Sequence, residues 1–183
     1  MPVLKTPRLT CRPLTEADWD FFLALQQNPG VMHYVSDARS EQDVRAIFDS
    51  RLAEWSPGSP HWLCLVMCDN DSGSPLGVTG YVHENNECAE VGFLLAPEAQ
   101  GQGYGAESLY ALCDFAFTTG GLRRMTACVT AGNYASRRLL EKAGFILEGT
   151  LRESYWLQQT WHDDWVFGLL KQEYPPPRHK PFY

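Results

Sequence analysis

Between Trp62 and Leu95 the chain alternates apolar runs with short polar clusters. Trp62–Cys68 runs into Asp69-Asn70-Asp71-Ser72-Gly73, Leu76–His83 into Glu84-Asn85-Asn86-Glu87, and Cys88–Leu95 into a proline and a series of glycines. The breaks are rich in turn residues and too short to hold a helix, so this stretch predicts an antiparallel meander. On either side the apolar period lengthens. Thr15 is a good N-cap with Glu16 and Asp18 in the first turn, predicting a helix to about Gln27 that stops at Asn28-Pro29-Gly30. Val31–Arg39 reads as a loop. Ser40, with Glu41 and Asp43, caps a second helix whose stripe is Val44, Ile47, Phe48 and Leu52; Ser56-Pro57-Gly58-Ser59-Pro60 breaks it. After the meander, a helix over Ala106–Phe117 places Leu109, Leu112, Cys113 and Ala116 on one face and ends at Gly120-Gly121. Leu9–Leu14 and Arg124–Val129 read as strands, Asn133–Lys142 as a short helix closed by Gly144, and Phe145–Leu157 and Trp161–Leu170 as long closing strands. The order βααβββαβαββ predicts an α+β fold. Its sheet is mixed and mostly antiparallel, of six or seven strands, with helices on both faces.

Composition narrows what such a fold does. With 183 residues and 44% hydrophobic content, one domain over residues 1–174 is expected. Residues 175–183, beginning Pro175-Pro176-Pro177, form a tail unsuited to a helix or a central strand. A net charge of −7 argues against nucleic-acid binding and mildly favours a neutral or cationic second substrate. The N-terminus lacks an apolar signal core, and no apolar run reaches the roughly 18 residues a membrane span needs. The six cysteines lie inside predicted strands and helices without a CxxC, which points to small buried thiols in a reducing cytoplasm rather than a zinc site. No histidine has a second ligand at helical or strand spacing, so no metal is expected. Trp19, Trp55, Trp62, Trp156, Trp161 and Trp165 read mostly as core residues.

The candidate chemistry lies at Pro97-Glu98-Ala99-Gln100-Gly101-Gln102-Gly103-Tyr104-Gly105, between a strand and a helix. Glycines there let the backbone approach a ligand closely, and the unpaired amides and dipole of a helix start attract an anion. A Walker loop would need Gly-Lys-Ser/Thr, but Ala106 and Glu107 follow Gly105. Gly101, Gly103 and Ala106 nominally match GxGxxG/A. That fingerprint belongs to an early βαβ unit and needs an acid at the end of the next strand, where Val129-Thr130-Ala131 stands instead.

Gln100-x-x-Gly103-x-Gly105 resembles the Q/R-x-x-G-x-G/A pyrophosphate loop of the GNAT acetyltransferase superfamily. Glu90-Val91-Gly92-Phe93-Leu94-Leu95-Ala96-Pro97-Glu98 resembles the strand and turn before that loop. Asn133-x-x-Ser136-x-x-Leu139-x-Glu141-Lys142-x-Gly144-Phe145 resembles its second cofactor-binding segment. The opening Thr6-Pro7-Arg8-Leu9-x-x-Arg12-Pro13-Leu14 and the later Glu148-Gly149-x-Leu151-Arg152 resemble the RimJ/RimL-like branch, so the similarity covers about residues 6–170.

The resemblance implies a GNAT fold and acetyl-CoA as acyl donor, lying in a V-shaped opening between the meander's last strand and the strand after the loop's helix. Gln100, Gly101, Gln102, Gly103, Tyr104 and Gly105 would then hold the pyrophosphate on backbone amides. The backbone of Phe93, Leu94 and Leu95 would pair with the pantetheine arm, and Asn133 would bond the same arm while also capping its helix. The implied reaction is direct attack of an amine on a thioester, without a covalent enzyme intermediate. Glu90 is the candidate base, or a solvated strand-end carboxylate; Ser136 is the candidate proton donor and cofactor contact, or a helix-surface hydroxyl. Two departures stand out. A tyrosine acid common in the superfamily is Leu140 here, and a glutamate of RimL-like enzymes is Tyr155, with Glu153 two residues earlier. His33, Tyr34, Trp55, His61 and Trp62 fall in regions that border the acceptor site in this family. The implied acceptor is a protein N-terminal amine. A small amine (drug or polyamine) and a non-catalytic acetyl-CoA-binding module are the alternatives, and pairing of two copies through the last strands is a further implication.

Overall fold

A computed structural model describes residues 1–85 and 87–174. Asn86, in the predicted second turn, and the proline-rich segment 175–183 lie outside the described residues. The chain opens with β1 (Leu4–Lys5) and β2 (Leu9–Pro13), then α1 (Trp19–Gln27), α2 (Pro29–Met32) and α3 (Glu41–Leu52). The meander is β3 (Leu63–Asp69), β4 (Pro75–His83) and β5 (Cys88–Leu95). It is followed by α4 (Tyr104–Thr118), β6 (Arg124–Thr130), α5 (Tyr134–Lys142), β7 (Ile146–Leu157) and β8 (Thr160–Leu170). The cap at Ser40 forms as its chemistry dictates: the hydroxyl accepts from the Asp43 N–H, and the Asp43 carboxylate accepts from the Ser40 N–H.

The eight strands make one sheet in the order β1-β2-β3-β4-β5-β6-β8-β7, antiparallel throughout except for β5–β6. Two elements depart from the sequence pattern. β1 raises the strand number from seven to eight; two residues paired at Leu4↔Cys11 and Lys5↔Thr10 carry no periodicity to read. Asn28-Pro29-Gly30 ends α1 as predicted but also starts α2, because the Asn28 side chain accepts from the Gly30 and Val31 amides and Pro29 sits at the first helical position.

Helices cover both faces. Leu109, Leu112 and Cys113 of α4 pack with Leu65, Tyr81 and Phe167 on one face. Phe22, Val44 and Phe48 of α1 and α3 pack with Val66 and Val78 on the other. Leu65 and Val66, adjacent in β3, thus serve opposite cores, as the two-residue strand period requires. Each such fully buried side chain contributes about 1.5–3 kcal/mol. Trp156 and Trp161 depart from the core reading: they are about half exposed and pack edge to face at 5.2 Å across the β7–β8 hairpin, paired with each other rather than with a helix.

The N-terminal strands are tied to the start of α4 through a fully buried carboxylate. Glu107 accepts from the Arg8 amide at 2.9 Å, from Arg8 Nε at 2.7 Å and from the Thr6 hydroxyl. Thr6→Val keeps the shape and removes one donor from a charge that has no water to replace it. The expected cost is about 1–3 kcal/mol, read as a lower urea midpoint with an unchanged slope.

Candidate active site

β5 and β6 run parallel and pair only at Cys88↔Arg124, Ala89↔Met125 and Glu90↔Thr126. Beyond that point each strand keeps its outer partner: β5 pairs with β4 as far as Leu95↔Gly77, and β6 with β8 as far as Thr130↔Asp164. The facing edges of Val91–Leu95 and Ala127–Thr130 therefore diverge, with backbone polar groups turned to a cleft instead of to each other. A cavity of about 350 Å³ fills the opening, with Glu90, Phe93, Leu94, Asn133 and Ser136 on its walls. An extended ligand arm fits such an edge as an added strand would.

The glycine loop lies where β5 ends. Gly101 and Gly103 have φ of +74° and +85°, which side-chain-bearing residues rarely adopt, and Gly103 is the residue before α4. The Glu107 N–H bonds to the Gly103 carbonyl at 3.0 Å, so the amides ahead of it face outward at the positive end of the helix. The side chains brace the loop instead of filling it. Gln100 Nε2 donates to the Leu95 carbonyl at 3.1 Å, and Gln102 Nε2 donates to the Glu98 carbonyl. Arg8, which the sequence pattern does not connect to the loop, lies over the Tyr104 ring at 4.4 Å and donates to the Gln102 carbonyl at 3.0 Å. Gly105 serves a different purpose from Gly101 and Gly103. It is buried, and a Cβ there would fall 2.5 Å from Leu139 Cδ1 on α5, so its bareness lets α4 and α5 pack together.

Asn133 caps α5, its Oδ1 accepting from the Ser136 amide at 3.2 Å, which leaves its amide NH₂ directed to other partners. One turn on, the half-buried Ser136 hydroxyl has no hydrogen-bond partner among the described residues. Leu140, at the position of the absent tyrosine acid, is fully buried.

Glu90 is the last paired residue of β5 and so sits at the apex of the splay. Burial, with the Glu84 charge adding to it, raises its carboxyl above the ordinary value. By strand alternation Glu90, Cys128 and Asp164 project to the face covered by α1 and α3, and all of them line the cavity. Cys128 is open to solvent, unlike the other five cysteines, which correct the expectation of uniformly buried thiols by one. Desolvation on its inner side pushes the thiol up to about 11, with Asp164 and Glu90 adding to the effect. Asp164 is buried and accepts from the Ser154 hydroxyl at 2.8 Å. Tyr155 reaches the cavity too, its hydroxyl donating to the Val35 carbonyl at 2.5 Å and so fastening β7 to the loop after α2.

Tyr34 and Trp62 line the cavity, as their regions suggest. Trp55 instead lies 5% exposed in the α4-side core, stacked on His83, and His33 packs against Tyr34 and faces Gln158. Cys128, Asp164 and two arginines of the cavity wall, Arg39 and Arg51, are site residues that sequence reading misses. Asp164 alone carried a signal, an acid inside an otherwise apolar strand period.

The chain matches the family model described as "Acetyltransferase (GNAT) domain" over residues 8–146. The Bacillus subtilis protein named "Uncharacterized N-acetyltransferase YoaA" is 28% identical over 172 residues, covering 93% of this chain and 97% of that protein. Among solved structures, a GNAT-family acetyltransferase from Bacillus anthracis superposes with a TM-score of 0.83 at 22% identity, over 94% of this chain and 100% of its own. Spermidine N-acetyltransferase from Vibrio cholerae, in complex with CoA and spermine, superposes with a TM-score of 0.79 at 24% identity, over 92% and 99%. At these identities the two structures speak to the fold.

Proposed function

Because the chain belongs to the GNAT acetyltransferase superfamily, we propose that its cleft transfers an acetyl group from acetyl-CoA to a primary amine, with Glu90 as base and Ser136 as acid. The observation that carries this reading is the splay of β5 from β6, with a carboxylate at its apex and an anion-ready loop at the end of β5. Gln100 to Gly105 would take the pyrophosphate on outward amides, and the open edge of Phe93 to Leu95 together with Asn133 would take the pantetheine arm. That arm delivers the thioester beside Glu90.

The amine must be neutral to attack, and the Glu90 carboxylate accepts its proton, directly or through water. The new C–N bond forms as the C–S bond breaks, giving an amide and the CoA thiolate. A backbone N–H on the open edge of β5 steadies the carbonyl oxygen as charge builds. The Ser136 hydroxyl, without a partner among the described residues and one helical turn from Asn133, relays a proton to the thiolate and recovers one from solvent.

The acceptor is an N-terminal α-amine of a protein, as the RimJ/RimL-like segments suggest, or a small amine. The small size of the cavity favours the second. The molecule works as a single domain over residues 1–174 in the reducing cytoplasm, a setting that suits its free thiols. Free thiol followed over time, with acetyl-CoA and a panel of peptides, polyamines and small amines, tests the assignment. Amine-dependent release is the expected result. Tight acetyl-CoA binding with no release on any amine would instead mark a binding module.

A further inference from the structure

Charges of both signs line the cavity, and among the described residues none of them forms an ion pair. Glu90 stands at the apex of the splay and Asp164 on β8, opposite Thr130 at the far end of β6. Asp164 meets the Ser154 hydroxyl and the Cys128 thiol; Glu90 accepts no hydrogen bond from the described residues. On the wall built by α3 and the loop before it are Arg51 and Arg39, both half-buried. Arg39 Nη1 donates to Gln26 Oε1 at 2.9 Å. The Arg51 guanidinium lies 5.6 Å from the centres of the Phe22 and Trp62 rings, and Cys64 lines the same cavity.

Five other arginines have acids: Arg8 has Glu107, Arg12 has Asp18, Arg45 has Glu16 and Asp49, Arg124 has Glu148, and Arg137 has Glu141, whereas Arg138 and Arg152, for which the described residues supply none, are exposed to water. Among the described residues Arg39 and Arg51 have no such acid. A guanidinium that gives up water for neutral partners is left short of its preferred bidentate anion. Such an arginine in a cavity wall points to an anion that arrives with a ligand.

The two signs are close enough for one small molecule. Tyr155 lines the same cavity as Arg39 and Asp164. On the face of Glu90, Gly92 follows it by two residues and is covered by the Trp62 ring, which a Cβ there would meet at 3.1 Å, so an indole forms the wall between Glu90 and Arg51. At about 350 Å³ the cavity is near the lower end of the range for ligand sites and must also admit the acetyl thioester, which suits a small acceptor.

We propose that the acceptor is a small amine that also carries an anionic group, an amino-acid-type zwitterion, with its amine at Glu90 and its carboxylate or other oxyanion at Arg39 and Arg51. This rests on the acetyl-transfer reading of the same cavity. A polyamine is disfavoured there, because its second ammonium would face two guanidinium groups.

The test uses the unmodified chain with acetyl-CoA and matched acceptors. These are free amino acids, their amides and methyl esters, the decarboxylated amines, polyamines, and short peptides with acidic or neutral first residues. Each free acid is expected to exceed its amide in kcat/KM by about 10- to 100-fold, the effect of one or two charge-assisted bonds. In Arg39→Gln and Arg51→Gln this acid-to-amide ratio falls toward one, and in Arg51→Lys it is partly restored. Acidic peptides outrunning free amino acids would keep the anionic class and identify a peptide as its source. Amides, esters or polyamines used as well as the acids would overturn the proposal while leaving acetyl transfer intact. Arginine variants that slow acid and amide alike would do the same, by showing a structural role. Acetyl-CoA binding with no thiol release on any acceptor would overturn the acetyl-transfer reading itself, and this proposal with it.

Discussion

Gly103→Val is expected to lower acetyl-CoA affinity by at least about 100-fold in calorimetry, the equivalent of two lost charge-assisted bonds. Gly103 has φ +85°, a conformation that costs a β-branched residue on the order of 1–3 kcal/mol. Its Cβ would also come within 3.3 Å of Arg8 Nη2. Arg8 cannot simply swing aside, being held by the buried Glu107 and by the Gln102 carbonyl. The backbone must therefore turn, and the amides at the start of α4 turn with it. Gly121 provides the control. It too is left-handed, at +70°, with nothing within 4 Å of its Cβ position, at the far end of α4. Gly121→Val should lose comparable stability and keep its affinity. If Gly103→Val binds acetyl-CoA as the parent does, the pyrophosphate does not rest on this loop.

Glu90→Gln is expected to reduce kcat/KM by about 10²–10³-fold near neutral pH, within the usual range for a general base. The pH profile carries the sharper information. Burial and the neighbouring Glu84 raise the Glu90 carboxyl, so wild-type activity climbs with pH through a pKa above the ordinary carboxylate value. The glutamine variant lacks that limb. Its deficit is largest between the Glu90 pKa and that of the acceptor amine, and narrows as the amine begins to ionise unaided. Stability should move the other way. A carboxyl whose folded pKa is raised contributes stability when protonated and loses it as pH rises from the unfolded to the folded value. At neutral pH Glu90→Gln should therefore melt at or above the wild-type temperature. A variant that keeps the wild-type pH profile would remove Glu90 from the mechanism, and one that is less stable would contradict the raised carboxyl.

The contrast between these residues shows what a linear pattern conveys. The loop was legible because its chemistry is local: glycines at fixed offsets between a strand and a helix specify outward amides wherever the chain goes. Asn133 and Ser136 were legible for the same reason, lying one turn apart on a capped helix. Gly105 was legible by position but not by role, because the Leu139 side chain that needs its bareness comes from another helix. Arg8 is nearly a hundred residues from the Gln102 carbonyl that it contacts. Asp164 is placed opposite Thr130 by the β6–β8 register, Arg51 by α3, and Arg39 by the loop that leads into α3.

The chain's own periodicity and turn chemistry determined the meander, the helices on both faces and the amide-rich, anion-ready loop, while the kind of donor was implied by the family resemblance of its motifs. These depend on contacts within a few residues, where spacing alone decides which groups meet. Tertiary structure decided where β5 parts from β6, which carboxylates and arginines share the resulting cavity, and which cysteine is open to it. Those are set by register and packing between distant segments, and a cavity of opposed charges exists only once the sheet has brought its walls together.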